Sequence, residues 1–150
     1  MLHVVDGDLV KEKEYTIFCH QVNCAGVMGT GIAKQIKETY PEVFKEYKEE
    51  CNESMLGKCQ YVKCSDGRYC VNMFSQKDIG HDKNYTKYGA FASCLNKLKS
   101  KLRISSKDIK IGFPCYIGCG AAGGDWAVVK PMLEEFAKNV KQEVYIVKRA

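Results

Sequence analysis

The stretch His20-Gln21-Val22-Asn23-Cys24-Ala25-Gly26-Val27-Met28-Gly29-Thr30-Gly31-Ile32-Ala33 decides how this chain reads. It continues the β-branched and aromatic run Tyr15-Thr16-Ile17-Phe18-Cys19-His20. It passes into a segment where Ile32, Ile36 and Tyr40 recur at helical spacing. A strand, a glycine loop and a helix start therefore follow one another. Glycine lets backbone come within hydrogen-bonding reach of a ligand, and a helix start leaves N–H groups unpaired for an anion. A second stretch of this kind, Pro114-Cys115-Tyr116-Ile117-Gly118-Cys119-Gly120-Ala121-Ala122-Gly123-Gly124-Asp125-Trp126, again separates a β-like run from a helix-like one. Two such loops facing each other would clamp a diphosphate, which points to a nucleotide-sugar ligand.

Outward from the loops, strands and helices alternate. Leu2–Val5, Gly57–Cys64, Tyr69–Phe74, Ile109–Pro114 and Glu143–Val147 read as further strands, with Asp66-Gly67 as a hairpin turn between two of them. Pro41 restarts a helix through Glu49. Tyr88, Phe91, Leu95, Leu98 and Leu102 form the apolar stripe of a long one. A last helix carries Val129, Met132, Leu133, Phe136 and Val140. Pro131 inside it predicts a late start or an early bend, because proline removes a helical hydrogen bond. The expected fold class is α/β, a mixed central sheet sandwiched between helices in three layers, in one domain over residues 1–150.

Composition bounds the function. A chain of 150 residues, 45% apolar, can bury a real core, and no run of 18 apolar residues predicts a membrane span. The amino terminus lacks the pattern of a signal peptide, so a cytoplasmic protein is expected, or a nuclear one in a eukaryote. The formal charge of +5 is spread over 23 Lys and Arg with no dense basic block. It suits attraction of a small anion, and no nucleic-acid partner is expected. The nine cysteines are odd in number, and several lie in apolar runs, which reads as free thiols. Cys59-x₄-Cys64 and Cys115-x₃-Cys119 approach metal-ligand spacing. The first pair flanks a strand and Cys119 lies in a glycine loop, so neither a metal nor a cofactor is expected. A monomer is the expected state.

Gly29-x-Gly31-x-Ala33 matches a dinucleotide fingerprint only in part. The loop follows the second strand rather than the first, and the region near position 50 is a charged helix. No Gly-Lys-Ser/Thr occurs, which excludes a Walker A loop. What loop one does supply is a set of polar groups at the carboxyl end of a strand, where open α/β sheets bind ligands.

Together with Gly7-Asp8-Leu9 and Asn72-Met73-Phe74-Ser75-Gln76, the two loop motifs resemble the macro domains, ADP-ribose-binding α/β modules, over essentially the whole chain. The resemblance implies that Asp8, with Leu9 beside it, recognises adenine. It implies that Asn23 and Gln21 face the distal ribose. Gly29, Thr30, Gly31, Ile32 and Ala33 would form the first diphosphate loop, and Ile117, Gly118, Cys119, Gly120, Ala121, Ala122 and Gly123 the second. Tyr145 is the nearest aromatic for stacking on adenine, core packing being its other reading.

The branch it looks most similar to is that of ADP-ribose-1″-phosphate phosphatases, which makes His20 the catalytic candidate. The other reading of His20 is a buried histidine satisfied by backbone. A related branch removes ADP-ribose from glutamate through a lysine adduct. Here Gln76 stands in place of that lysine, Lys77 is one residue on, and Ala122 replaces its aspartate. Glutamine cannot form a Schiff base, and a one-residue shift turns Lys77 to the opposite strand face. Deacetylation of O-acetyl-ADP-ribose, and a non-catalytic reader of ADP-ribose or of ADP-ribosylated protein, remain open. Asp125 reads as a helix N-cap, and His81 and Asp82 read as a solvated loop.

Overall fold

The computed structural model describes residues 1–149. Six strands form one sheet: β1 (Leu2–Asp6), β2 (Ile17–Asn23), β3 (Cys59–Lys63), β4 (Tyr69–Gln76), β5 (Lys110–Pro114) and β6 (Glu143–Lys148). Their spatial order is β1-β6-β5-β2-β4-β3. Every neighbouring pair is parallel except β3 with β4, the hairpin turned at Asp66-Gly67. The four helices are α1 (Gly31–Thr39), α2 (Pro41–Glu50), α3 (Tyr88–Leu102) and α4 (Trp126–Lys138).

The central strands are apolar on both faces because both faces are covered. Along β2 and β4 alternate residues enter different cores. Cys19, Val71 and Met73 pack with Phe91, Leu98, Leu133 and Phe136 from α3 and α4. Phe18, Val22, Cys70 and Phe74 pack with Ile36, Val43 and Tyr47 from α1 and α2. The result is a mixed sheet between two pairs of helices. All nine cysteines are free; Cys19, Cys64, Cys70 and Cys94 fill these cores, and burial pushes the Cys64 thiol up to about 12.

Two local features depart from the sequence pattern. α4 neither starts late nor waits for Pro131: it begins at Trp126, where Asp125 caps it by accepting from the Ala127 N–H at 2.9 Å. The cap secures the first turn, so the proline deprives the helix of one bond only. Arg68, directly after the Asp66-Gly67 turn, is buried. Its guanidinium donates to the carbonyls of Leu9, Val10 and Tyr15 and to the Tyr40 hydroxyl, and stacks over Phe18. It thereby pins the irregular segment after β1 that carries Asp8 and Leu9. Gly112 on β5 completes the seat, since a Cβ there would lie 2.3 Å from Leu9 Cδ1.

Candidate functional site

Because β1, β2, β4, β5 and β6 run parallel, the segments leaving their carboxyl ends gather on one edge of the sheet. They line a cleft of about 870 Å³. The segment after β1 brings Asp8 and Leu9. Loop one, after β2, brings Gly29, Thr30, Gly31, Ile32 and Ala33. Loop two, after β5, brings Ile117, Gly118, Gly120, Ala121 and Ala122. Gln21, Asn23 and Gln76 line it from the ends of β2 and β4.

Loop one delivers a bare helix start. Thr30 is extended at the N-cap of α1 with no side-chain cap bond, and the first turn holds no acidic residue. The N–H groups of Gly31, Ile32 and Ala33 make no hydrogen bond among the described residues; the first bond of the turn is Lys34 N–H to Thr30 C=O. Gly31 has φ +57°, and no atom lies within 4 Å of where its Cβ would stand. That open space beside unpaired donors and the positive end of a helix suits an anion.

Loop one is folded by Asn23. Its Oδ1 accepts from the N–H groups of Ala25 and Val27, and its Nδ2 donates to Val27 C=O at 2.8 Å. One amide hydrogen of Asn23 is left for a ligand, so the residue builds the loop first and offers a single donor second.

Loop two is tied to itself and to its surroundings. Gly124 N–H donates to Gly118 C=O, Gly123 N–H to Gly120 C=O, and Thr86 Oγ1 to Gly118 C=O at 2.6 Å. Tyr116 takes φ +63°, and its ring packs edge-on against Trp126. The N–H groups of Gly118, Gly120, Ala121 and Ala122 make no hydrogen bond among the described residues, and these residues line the same cleft as loop one. Two of the expected residues do not line the cleft. Cys119 turns its thiol to Ile117 C=O and packs toward the α3/α4 core. Gly123 lies against the Lys83 carbonyl, which would be 2.7 Å from a Cβ.

At the β1/β6 end, Asp8 Oδ1 accepts from Val10 and Lys11 N–H at 3.1 Å. Gln35 Nε2 reaches both carboxylate oxygens. Burial raises the Asp8 carboxyl, but these hydrogen bonds and Arg149 outweigh it and hold it below the usual range. Gln35 and Arg149 also line the cleft, Arg149 Nη1 donating to Gln35 Oε1. The sequence offered no signal for either, since a polar helix face and a terminal arginine look alike everywhere.

At the β2/β4 end lies a floor of carboxamides. Gln21 accepts from Ser75 Oγ and donates to Thr86 Oγ1 and Gln76 Oε1, while Gln76 donates to Asp78 C=O. The loop beyond brings Ile79, Gly80 and His81 to the cleft. It is stitched to loop two by Tyr85 N–H to Ala122 C=O at 2.7 Å. His81 thus lines the cleft from an exposed loop.

Two expectations, His20 as the catalytic group and Tyr145 as the aromatic stacking on adenine, are corrected by side-chain direction. His20 has no exposed surface and does not line the cleft; it lies on the β2 face that carries Phe18. Its Nε2 donates to Asn72 Oδ1, because the Asn72 amide donates onward to Gln60; its Nδ1 has no partner. Burial depresses the imidazole to about 4, against a smaller opposing effect of Asn72. A neutral, enclosed ring cannot touch a ligand, so His20 leaves the set of reacting groups. Tyr145 stacks on His3 and meets Tyr15 edge-on, away from the cleft. Lys77, just beyond the end of β4, does not line the cleft and pairs with Glu53 at 3.6 Å.

The family model described as Macro domain matches residues 19–133. The DNA ADP-ribosyl glycohydrolase of Mycobacterium tuberculosis is 31% identical over 138 residues, 89% of this chain and 38% of that protein. This chain therefore spans about two fifths of that relative's length. An ADP-ribose 1″-phosphate phosphatase of Aspergillus fumigatus is 34% identical over 58 residues, 39% of this chain and 28% of that protein. Among solved structures, the macrodomain of Mycobacterium tuberculosis DarG superposes with a TM-score of 0.82 at 27% identity, covering 99% of this chain and 97% of that one. Thermosipho africanus DarTG in complex with ADP-ribose shares the fold at a TM-score of 0.77 and 22% identity, over 97% of this chain and 41% of that one.

Proposed function

This chain belongs to the macro domain family, and we propose that it binds ADP-ribose and hydrolyses the substituent at C1″ of the terminal ribose, with ADP-ribose-1″-phosphate the favoured substrate. The observation that carries the reading is that the uncapped start of α1 and the free amides of loop two line one cleft. A diphosphate supplies the anion that both sets of donors lack. Asp8 then lies at the adenine end, and Gln21, Asn23 and Gln76 beneath the terminal ribose.

The chemistry follows from what surrounds that ribose. Gln76 occupies the strand position where a lysine nucleophile would stand, and Lys77 faces Glu53. A covalent adduct through the strand is therefore not favoured, and water attacks directly. Phosphate suits such a site because it departs as a stable anion without a strong acid. Water enters, and ADP-ribose and inorganic phosphate leave. His81 lines the cleft and can exchange the proton involved.

A second reading has its own support. The relatives named for removing ADP-ribose from DNA match along 89% of this chain. Val27 and Ile79 line the cleft with 43% and 48% of their surfaces exposed, apolar ground on which a base could rest. One panel separates the readings. ADP-ribose is titrated by calorimetry, and products are followed from ADP-ribose-1″-phosphate, ADP-ribosylated DNA and glutamate-modified protein. Phosphate release supports the first reading. ADP-ribose released from DNA alone supports the second. Binding without turnover leaves a reader, and no binding at all overturns the assignment.

A further inference from the structure

The residue that holds loop one in place lies outside the cleft. Tyr47 on α2 has no exposed surface, and its ring stacks on Phe74 at 5.8 Å and leans on Phe44. Its hydroxyl is not idle in this apolar setting. It lies 2.7 Å from both Asn23 C=O and Asn23 Oδ1, between which its single hydrogen is shared, and it accepts from Gly26 N–H at 3.1 Å. Gly26 sits at φ +83°. One turn further along α2, the Cys51 thiol also points at Asn23 C=O, at 3.6 Å.

We propose that Tyr47 is a positioning residue for the diphosphate loop: its hydroxyl joins the end of β2 to the turn at Gly26 and so fixes where the free amides of Gly31 to Ala33 point. The inference rests on the proposed diphosphate seat and adds the group that sets its geometry. Burial, and then the neighbouring Cys51 thiol, push the Tyr47 phenol well above its ordinary range. The O–H therefore stays protonated and keeps donating. Without the hydroxyl, the Gly26 N–H loses its hydrogen-bond partner and the Asn23 carbonyl keeps only the Cys51 thiol, so the turn relaxes.

Tyr47→Phe tests this, because the ring and its packing remain. The control is Tyr40→Phe. The Tyr40 hydroxyl is equally enmeshed, donating to Asp66 and accepting from Lys13 and Arg68, but it touches no part of loop one. Calorimetry with ADP-ribose is expected to show about a tenfold weaker affinity for Tyr47→Phe, the net worth of one buried hydrogen bond. For Tyr40→Phe the melting temperature should fall, and affinity should change less than for Tyr47→Phe, since only one of the Arg68 contacts behind the Asp8 segment is lost. Amide hydrogen exchange should quicken at Gly26 in Tyr47→Phe alone. Affinity within twofold of the parent for Tyr47→Phe, or an equal affinity loss in both variants, overturns the proposal. Should the parent protein fail to bind ADP-ribose, the functional reading falls, and exchange at Gly26 still decides: unchanged protection in Tyr47→Phe rejects the positioning role.

Discussion

Loop one and loop two look alike in sequence, yet their glycines answer to different neighbours. A Cβ at Gly31 would meet nothing within 4 Å, and one at Gly29 only a Val27 methyl at 3.5 Å. A Cβ at Gly124 would lie 2.5 Å from Gly118 C=O, and one at Gly118 would lie 2.8 Å from Gln21 Oε1. Gly29 and Gly31 of loop one are bare so that something else can enter; Gly118, Gly123 and Gly124 of loop two are bare so that the loop can fold, and Gly120 there stands as open as Gly31. Their helices repeat the contrast. α1 begins with no side-chain cap, while α4 begins with Asp125 bonded to its own backbone. The anion-seeking end of the pair is loop one, and loop two is the shaped wall that closes on it.

The most severe way to break this contrast is to fill each loop. Gly31→Glu places bulk and negative charge among the free amides. It should weaken ADP-ribose binding about a hundredfold or more, on the order of 3 kcal/mol. Its melting temperature should fall by only the strain of a side chain at positive φ, about 1 kcal/mol. Gly124→Ala should do the reverse in emphasis. Overlap with a backbone carbonyl destabilises the fold by roughly 1–3 kcal/mol, and affinity falls as the wall shifts. Calorimetry beside thermal melts reads both. If the two variants lose stability and affinity in the same proportion, the loops are not different in kind.

The strand that feeds loop one sharpens the contrast, because its faces divide the work. Gln21 looks into the cleft, and His20 beside it looks into the core. Burial holds the His20 pKa at about 4 in the folded protein, below its ordinary value of 6.5. The unfolded chain takes up a proton first as pH falls. The resulting stability is complete above pH 6.5 and is lost as pH drops through about 4, amounting to about 3 kcal/mol. Urea titrations of the parent and of His20→Gln at several pH values should show this slope in the parent alone. A titration of kcat that follows His20 in that window would return the imidazole to the chemistry.

His20 also marks where legibility ended. Strand and helix positions followed from periodicity, and both loops from glycine between a β run and a helix run, because these are local signals. The direction of a side chain at a strand's end is also local in principle: Gln21 and Asn23 share a parity, and His20 has the other. The family likeness favoured a histidine before loop one, and parity alone could not say which face held the cleft. Arg68, Gln35, Arg149 and Tyr47 were illegible for another reason. Each acts through partners far away in sequence, Tyr15 and Leu9 for Arg68 and Asp8 for Gln35. His81 was visible, but a polar loop gives no sign of being stitched to Ala122 and so held against the cleft.

The finest probe of the contrast exchanges the caps themselves. Thr30→Asp gives α1 the carboxylate that α4 already has. A capping carboxylate accepts from the second or third N–H of the helix and favours the positive end of its dipole. The variant should gain about 0.5–1 kcal/mol of stability. The same carboxylate competes for the amides that seat the diphosphate, so ADP-ribose affinity should fall about tenfold. Asp125→Ala removes the existing cap from α4 and should lose about 1 kcal/mol of stability. Its affinity should stay within about twofold, since Asp125 engages Ala127 and does not line the cleft. The pair moves stability in opposite directions while only one member moves affinity. Paired melts and titrations in which Thr30→Asp binds as tightly as the parent would mean that the start of α1 is not where the phosphate charge rests, and the distinction between the two loops would lose its electrostatic half.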